Sequence, residues 1–375
     1  MTRFLHTADW QIGRQYGRFA PEDAIPLAEA RFLAVERIAA LARERRVDAV
    51  LVAGDVFDAQ TVSERTLRRL FNALAAFDGP WVLIPGNHDA ALAESVWTRA
   101  RRFNCIPPNV HLFETGGVRA FAGIGLAVLG APLTQRHTHT DLTEPFDTLE
   151  TPPGLVRVGL AHGSVQGLLA EEVDSANPIA PDRARRARLD YLALGDWHGM
   201  KPIDERTWYS GTPEPDRFKG NAPGHVLEVA IAAPGALPEV TPHAVALHRW
   251  HEHGETLSLP GDVEQLGERL VALGASDVLA LTLSGRLDLA SHQRLQALLG
   301  QAAGRLRSLQ LDQEALQLAP TEADVESLRA DGYLGEVLGA LRARQEGDEV
   351  AREALSVLAG LLRERQAPAA EGKSA

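Results

Sequence analysis

The sequence has 375 residues, 45% of them hydrophobic and 23% charged, with a formal net charge of −12 at neutral pH. That is enough apolar material for a sizeable core, and the lone Cys105 excludes an intramolecular disulfide and points to a reducing compartment. The acidic balance argues against a general nucleic-acid coat protein, but not against a site whose positive charge comes from bound cations. No charged region followed by an apolar one opens the chain, and the near-apolar run 120–133 is broken by glycines and too short to span a bilayer. A soluble cytoplasmic protein with no membrane association is expected.

Residues 3–8 read as a short buried strand ending at Asp9. Over 28–45, Phe32, Val35, Ile38, Ala39 and Ala42 recur at helical spacing. Residues 48–53 form a β-branched strand ending at Gly54-Asp55, 61–77 a second amphipathic helix, and 81–84 a third strand ending at Pro85-Gly86-Asn87-His88-Asp89. From 110 to 130 short apolar runs with glycine breaks suggest an antiparallel meander. Strands follow at 156–161, ending at His162-Gly163, at 191–194, ending at Gly195-Asp196-Trp197-His198, and at 207–210, before the turn-rich Gly211-Thr212-Pro213. Closing strands lie at 224–232 and 240–247. Proline and glycine accumulate over 233–260, which places a boundary there. Beyond it, strands at 277–284 and 306–311 flank a helix at 291–304. Residues 322–365 have a helical pattern, and the polar tail 366–375 is expected to be disordered.

Five segments carry the chemistry: Asp9-Trp10-Gln11, Gly54-Asp55-Val56-Phe57-Asp58, Gly86-Asn87-His88-Asp89, Ala161-His162-Gly163 and Gly195-Asp196-Trp197-His198. Each falls at a strand end, where ligands bind in α/β folds. Carboxylates, imidazoles, one Asn and one Gln suit divalent Mn, Fe or Zn, and differ from a thiolate structural zinc site. Any one Asp-Gly or His-Gly at a strand end is usually only a turn. Gly-Asn-His-Asp downstream of Gly-Asp-x-x-Asp is far more specific. The neighbouring glycines allow sharp turns toward a shared cleft.

The order and context of these segments resemble the calcineurin-like metallophosphoesterase superfamily. Residues 6–10 (His-Thr-Ala-Asp-Trp) and 52–58 (Val-Ala-Gly-Asp-Val-Phe-Asp) resemble more closely the SbcD-like nuclease subunits that pair with a coiled-coil ATPase. The resemblance covers roughly residues 1–230. It implies an α/β fold, a four-layer α/β/β/α sandwich with a small C-terminal α/β cap domain and a helical tail. The implied divisions are a nuclease domain over 1–240, a cap-like domain over 241–330, a partner-binding helical segment over 331–365 and the tail 366–375. It further implies two divalent metal ions bridged by Asp55, the first held with Asp9 and His198, the second with Asn87 and His162. His88 would contact the scissile phosphate and protonate the leaving oxygen, and Asp58 would orient His88. Such a site hydrolyses phosphodiesters by activating water between two cations.

Two positions depart from the family pattern. Gln11 stands where Asp-x-His is usual, and Asp196 where Gly-His-x-His is usual. Each metal would exchange an imidazole for an oxygen, which favours Mn²⁺ or Mg²⁺ over Zn²⁺, with Mn²⁺ the expected ion. The alternative reading of the departures, secondary to a working site because Asp196 remains a competent ligand, is a degenerate site in a non-catalytic DNA-binding subunit. A small-molecule phosphoesterase is the other alternative to a DNA nuclease. Expected partners are DNA and an SbcC-like ATPase, with a homodimer left open. Trp10 and Trp197 are read as packing beneath the metal loops or as stacking faces for bases. Arg183, Arg185, Arg186 and Arg188 form a solvated helix face or meet a DNA backbone. Over 337–365, Leu338, Leu341, Val350, Leu355, Leu358 and Leu361 form a stripe that covers a partner or packs on the chain itself.

Overall fold

A computed structural model describes residues 1–167, 177–319 and 333–344, with scattered positions from 321 to 361. It divides into two compact units, 1–249 and 250–375.

In the first unit the elements are β1 (Thr2–Thr7), α1 (Pro21–Arg45), β2 (Ala49–Ala53), α2 (Glu64–Ala73), β3 (Trp81–Ile84), α3 (Val96–Arg102), β4 (Val110–Leu112), β5 (Gly117–Phe121) and β6 (Leu126–Ala131). They continue with β7 (Val156–His162), β8 (Ser164–Val165), β9 (Pro178–Ile179), α4 (Arg183–Arg186), β10 (Tyr191–Gly195), β11 (Lys201–Pro202), β12 (Thr207–Tyr209), β13 (His225–Ile231) and β14 (Glu239–Ala244). Among the described residues, two six-stranded sheets form, ordered β14-β13-β1-β2-β3-β4 and β11-β12-β10-β7-β6-β5. The inner strands of both are parallel.

Alternation along these strands builds the layers. Phe4, Ala49, Leu51, Ala53, Val82 and Ile84 point toward the second sheet, where Val158, Leu160, Tyr191 and Ala193 meet them. Leu5, Val50, Val52, Trp81 and Leu83 face the opposite way, against Phe32, Val35, Ile38, Leu67 and Leu70 of α1 and α2. Strands buried on both faces read as unbroken apolar runs, which is why β2 and β3 stand out in the sequence. The outer face of the second sheet packs Ala161, Leu192 and Leu194 against Phe146, Ala184 and Leu189. Among the described residues this outermost layer is thin, being loop, a short 3-10 turn over Glu144–Asp147 and the four-residue α4.

Several boundaries differ from the sequence reading. Helix α1 starts at Pro21, seven residues before the apolar periodicity, because its first turns carry Glu22, Asp23, an exposed Ile25 and Pro26, which break the apolar repeat. The region 110–130 is not one meander: β4 joins the first sheet parallel to β3, and only β5 and β6 pair antiparallel. Trp10 is buried, donates its indole N–H to Thr7 Oγ1 at 2.9 Å and sits edge-on to Trp81, so it packs beneath the loops. Three of the four arginines in the run are paired with acids. Arg183 bonds Asp141 and Asp147 at 2.6 and 2.7 Å, Arg186 bonds Asp147, and Arg185 bonds Asp182. Cys105 is half-buried against the helical layer.

His6 places an imidazole between the two sheets. Its Nε2 donates to the Leu194 carbonyl at 3.1 Å, and its Nδ1 accepts from the Tyr191 hydroxyl at 3.0 Å. Burial drives its pKa down to about 3 against the opposing carbonyl bond, so it is neutral.

The second unit holds β15 (Arg249–Leu257), α5 (Pro260–Val271), β16 (Asp277–Leu287), α6 (Leu289–Arg305), β17 (Ser308–Leu318) and α7 (Tyr333–Arg344). Its sheet runs β15-β16-β17, with β16 and β17 parallel, and its core gathers Leu257, Leu266, Leu279, Leu283, Leu295 and Leu299. The apolar stripe of the C-terminal segment is divided. Leu338 and Leu355 are buried with Leu289, whereas Val350 and Leu361 are exposed. The tail 366–375 and much of 322–365 lie outside the described residues. No described helix is long and apolar enough to cross a membrane.

Candidate metal centre

Four of the proposed ligands sit in the left-handed backbone region: Asp9 at φ 55°, Gln11 at 51°, Asp55 at 52° and Asp196 at 101°. Non-glycine residues held there cluster at functional sites, where surrounding bonds over-determine the conformation. Those bonds are present. Asp9 and Gln11 N–H groups donate to the Gly54 and Asp55 carbonyls at 3.1 and 3.0 Å, and Ile12 N–H donates to Val56 O at 2.9 Å. The loops after β1 and β2 therefore run side by side.

Among the described residues, Asp9, Asp55 and His162 bring ligand atoms within 4.8 Å of one another. The other expected ligands join this group. His162 Nε2 is 2.8 Å from the Asn87 amide, 3.6 Å from Asp55 Oδ1 and 3.7 Å from Asp196 Oδ1. Gln11 Nε2 donates to Asp55 Oδ2 at 2.7 Å. Asp196 N–H lies 3.2 Å from Asp9 Oδ1, and His198 is close enough to pull against the rise in the Asp9 pKa. His162 Nδ1 donates to the Ala53 carbonyl at 2.8 Å, which fixes the tautomer and leaves Nε2 facing the carboxylates.

Glycines here make room as much as turns. A methyl group on Gly195 would stand 2.0 Å from Ala53 O, and one on Gly86 2.2 Å from Asp55 Oδ1. Of these three glycines, Gly54, at φ 88°, also needs its backbone freedom, and a methyl there would meet His162 Nδ1 at 2.4 Å.

The electrostatics fit a cation-binding centre. Burial, opposed by His198 and His162, raises Asp9 to about 6. Burial alone would lower His162, yet Asp55, Asp9 and Asp196 lift it to about 9. The pocket thus draws positive charge onto whatever group can carry it. Gln11 Oε1 is buried without a hydrogen-bond partner, an orphan acceptor beside carboxylates. An oxygen-rich donor set with two imidazole and two amide ligands is the chemistry of a hard or borderline divalent ion.

His88 is placed differently from the ligands. Its N–H donates to Asp55 Oδ1 at 2.9 Å, and its Nδ1 donates to the main-chain carbonyl of Asp58 at 2.8 Å. Its side chain stays 29% exposed, which leaves Nε2 accessible to a substrate. The resemblance assigns Asp58 to orient His88, and the contact is made by the backbone oxygen. The carboxylate turns away and accepts from Arg14 at 3.1 Å.

Several supporting residues escaped the sequence reading. Asp89, the last of its tetrapeptide, is fully buried and accepts from the N–H groups of Val56, Phe57 and Gly86 at 2.6–3.2 Å, clamping two ligand loops together. Burial and Asp55 push it up to about 7. Asp216 accepts from His198 Nδ1 at 3.1 Å and pairs with Arg14 at 3.3 Å. Although burial opposes it, His198, Arg217 and Arg31 hold its carboxyl well below the usual range. Buried Arg31 donates to the Trp10 carbonyl at 2.8 Å, to Tyr16 Oη at 2.8 Å and to the Glu214 carbonyl at 3.3 Å. Thr212 Oγ1 donates to the Asp9 carbonyl at 2.8 Å. The turn-rich stretch 211–213 marks Thr212 only as part of a turn, and stops short of Glu214 and Asp216.

Residues 2–200 match the calcineurin-like phosphoesterase family. The chain belongs to that family. Within it, the chain is similar to the SbcD component of the nuclease SbcCD of Rhodobacter capsulatus, 43% identical over 290 residues, 64% of this chain and 69% of the relative. It is also similar to the SbcD component of the nuclease SbcCD of Bacillus subtilis, 23% identical over 62% of this chain and 67% of the relative. The DNA double-strand break repair protein Mre11 of Methanosarcina acetivorans is 26% identical over 62% of this chain and 37% of that protein.

Proposed function

We propose that the protein is the metal-dependent nuclease subunit of a DNA-repair complex and hydrolyses phosphodiester bonds with two divalent cations, Mn²⁺ in the cell. The observation that carries this reading is the buried group Asp9, Asp55 and His162, with the orphan oxygen of Gln11 beside it, in a chain resembling the SbcD component of SbcCD over about two thirds of its length.

Asp9, Gln11 and His198 would hold one ion and Asn87, His162 and Asp196 the other, with Asp55 shared. The cations, when bound, supply positive charge that polarises the phosphoryl group and makes nearby water more acidic. Ala53 O accepts from His162 Nδ1, which leaves that Nε2 facing the carboxylates, and the contact of Asp216 with His198 Nδ1 would leave the His198 Nε2 for an ion. His88, with Nδ1–H anchored on Asp58 O, presents Nε2 to protonate the leaving oxygen. Three carboxylates in the proposed set, against two in the usual pattern, favour Mn²⁺ over Zn²⁺. The partner we propose is an SbcC-like coiled-coil ATPase, with Val350 and Leu361 as part of the face it covers.

The test is hydrolysis of a single-stranded oligonucleotide with Mn²⁺, Mg²⁺ or Zn²⁺ supplied in turn. Wild type is expected to cut, fastest with Mn²⁺. His88→Ala is expected to retain both ions by elemental analysis while turnover falls by ~10²–10⁴-fold, the usual contribution of a general acid. Metal loss in His88→Ala would make His88 a ligand, and absence of metal-dependent cutting in wild type would overturn the reading.

A further inference from the structure

Cations are scarce in this chain relative to acids, with 38 Lys and Arg against 50 Asp and Glu, and only three of the basic residues are lysines. Two of those three converge on one ring. The ammonium groups of Lys201 and Lys219 lie 5.2 and 5.1 Å from the centroid of Trp197. That distance is within the range over which an indole face attracts a cation. Trp197 stands between the proposed ligands Asp196 and His198 and is half-buried.

The second loop that contributes is tied to the first. His198 O accepts from Thr212 N at 3.1 Å, and Ala222 O accepts from Met200 N at 3.1 Å. A methyl on Gly199 would fall 2.0 Å from Asn221 O, so the two loops touch at the backbone. Along the second loop, Arg217 places its guanidinium 2.9 Å from His198 Nδ1 and keeps nearly half its side chain exposed. Phe218 follows, with the Arg18 guanidinium 5.4 Å from its ring, and Arg18 also lies 5.2 Å from Phe19. Arg18, Lys201, Arg217 and Lys219 thus form a rim of cations interleaved with aromatic rings beside the metal centre. Asp216, the acid within it, is buried and already shared among His198, Arg14 and Arg217.

From this arrangement we infer that the rim is a phosphate ledge for a single polynucleotide strand, on which the backbone beyond the scissile bond lies against Lys201 and Lys219, with Trp197 as the rigid seat that positions both ammonium groups. It rests on the nuclease reading and sharpens it, because a small phosphoester has no further phosphates for such a ledge. The lysines, rather than a base, occupy the neighbourhood of the ring, so the ledge reads charge and not sequence. Backbone contacts of this kind weaken with salt, with a slope of ~0.7 per phosphate neutralised on a single strand.

The experiment compares wild type, Lys201→Ala/Lys219→Ala and Lys201→Arg/Lys219→Arg on two substrates with Mn²⁺: a labelled single-stranded oligonucleotide and bis(p-nitrophenyl) phosphate. Oligonucleotide affinity is also measured by fluorescence anisotropy with Ca²⁺ across a salt series. The double alanine variant is expected to bind the oligonucleotide about tenfold or more weakly at low salt, with its salt slope reduced by ~1.4 for two lost contacts. The arginine variant should restore both. Hydrolysis of the small diester should stay within about twofold of wild type, and an oligonucleotide with abasic residues should show the same loss as the intact one. An unchanged affinity and slope would overturn the ledge, as would equal losses on both substrates, which would mean that the lysines support the metal loops. A loss confined to base-bearing strands would make Trp197 a stacking platform instead. If wild type cuts neither substrate, the nuclease reading fails by itself, while the anisotropy series still decides the ledge.

Discussion

Around His162, on the side of the centre that also carries Asn87, the supports are main-chain atoms and bare glycines: Ala53 O for the imidazole, and Gly54, Gly86 and Gly195 packed where no side chain fits, while the Asp89 carboxylate on that side holds backbone N–H groups and not the imidazole. On the side of Asp9, Gln11 and His198, the supports are side chains brought from far along the sequence. Asp216 holds His198, Thr212 and Arg31 hold the 9–10 backbone, and Arg14 joins Asp216 to Asp58. The first kind of support tolerates changes of charge and fails on added volume. The second tolerates small changes of volume and fails on altered charge.

The largest effect is expected where the two sides share a residue. Asp55→Asn should abolish measurable turnover and strip both ions, read by elemental analysis after dialysis; two tightly held ions in that variant would remove Asp55 from the bridging position. Next is Gly54→Ala, whose methyl would crowd His162 Nδ1 at a φ of 88°. We expect activity to fall ~10³-fold and stability by ~2–3 kcal/mol, in the range for overpacking at a strained backbone position. Retained activity there would show that main-chain support is not what fixes His162. Asp216→Asn should be milder, weakening one ion by ~10–100-fold, as removal of a carboxylate behind a ligating imidazole does, with the other ion unchanged in a calorimetric titration. Loss of both ions together would mean that the two sides are not independently held.

The last expected effect falls on stability against pH rather than on the ions or turnover. Glu214, behind Arg31, is 1% exposed and accepts from the Leu247 and His248 N–H groups at 2.7 and 3.1 Å. Burial raises it to about 7 from an ordinary 4.5, against these bonds and Arg31. Its folded pKa is the higher one, so its stabilising contribution is complete below the unfolded pKa and is lost as pH rises through about 7. Between pH 4 and 8, wild type should lose ~3 kcal/mol relative to Glu214→Gln in denaturant titrations. Parallel pH curves for the two proteins would show that Glu214 titrates alike folded and unfolded.

The same contrast explains what could be read from the sequence. Strands β2 and β3 announce themselves because both faces are apolar, and Asp55 and Asn87 follow them within a few residues. Local pattern therefore marks the ends of strands and the groups they present. Asp216, Arg14 and Arg31 have no such signature. Asp216 follows the short strand β12 in an irregular loop, and Arg31 sits on an α1 face that reads as ordinary helix. Their roles arise only when residues some 180 positions apart meet, as Arg31 and Glu214 do. The roles of Asp58 and Asp89 were hidden for another reason. Sequence shows that a carboxylate is present, but not that the backbone oxygen of Asp58 does the holding, nor that Asp89 faces three N–H groups.

One bond pair in the apolar interior bears on all of this. His6 lies three residues before Asp9, and Leu194 two residues before Asp196, and the imidazole is their direct link across the gap between the sheets. Apolar side chains between the sheets interdigitate closely, but their contacts are non-directional and mark an offset by shape alone. A neutral imidazole with two definite partners adds direction, because a shift of one strand by a residue would leave both ring nitrogens dry and unmatched. It works as a dowel between two boards, setting the height of one ligand loop against the other. A His6→Leu protein could therefore keep its fold and its full set of ligands and still hold Asp9 and Asp196 out of step.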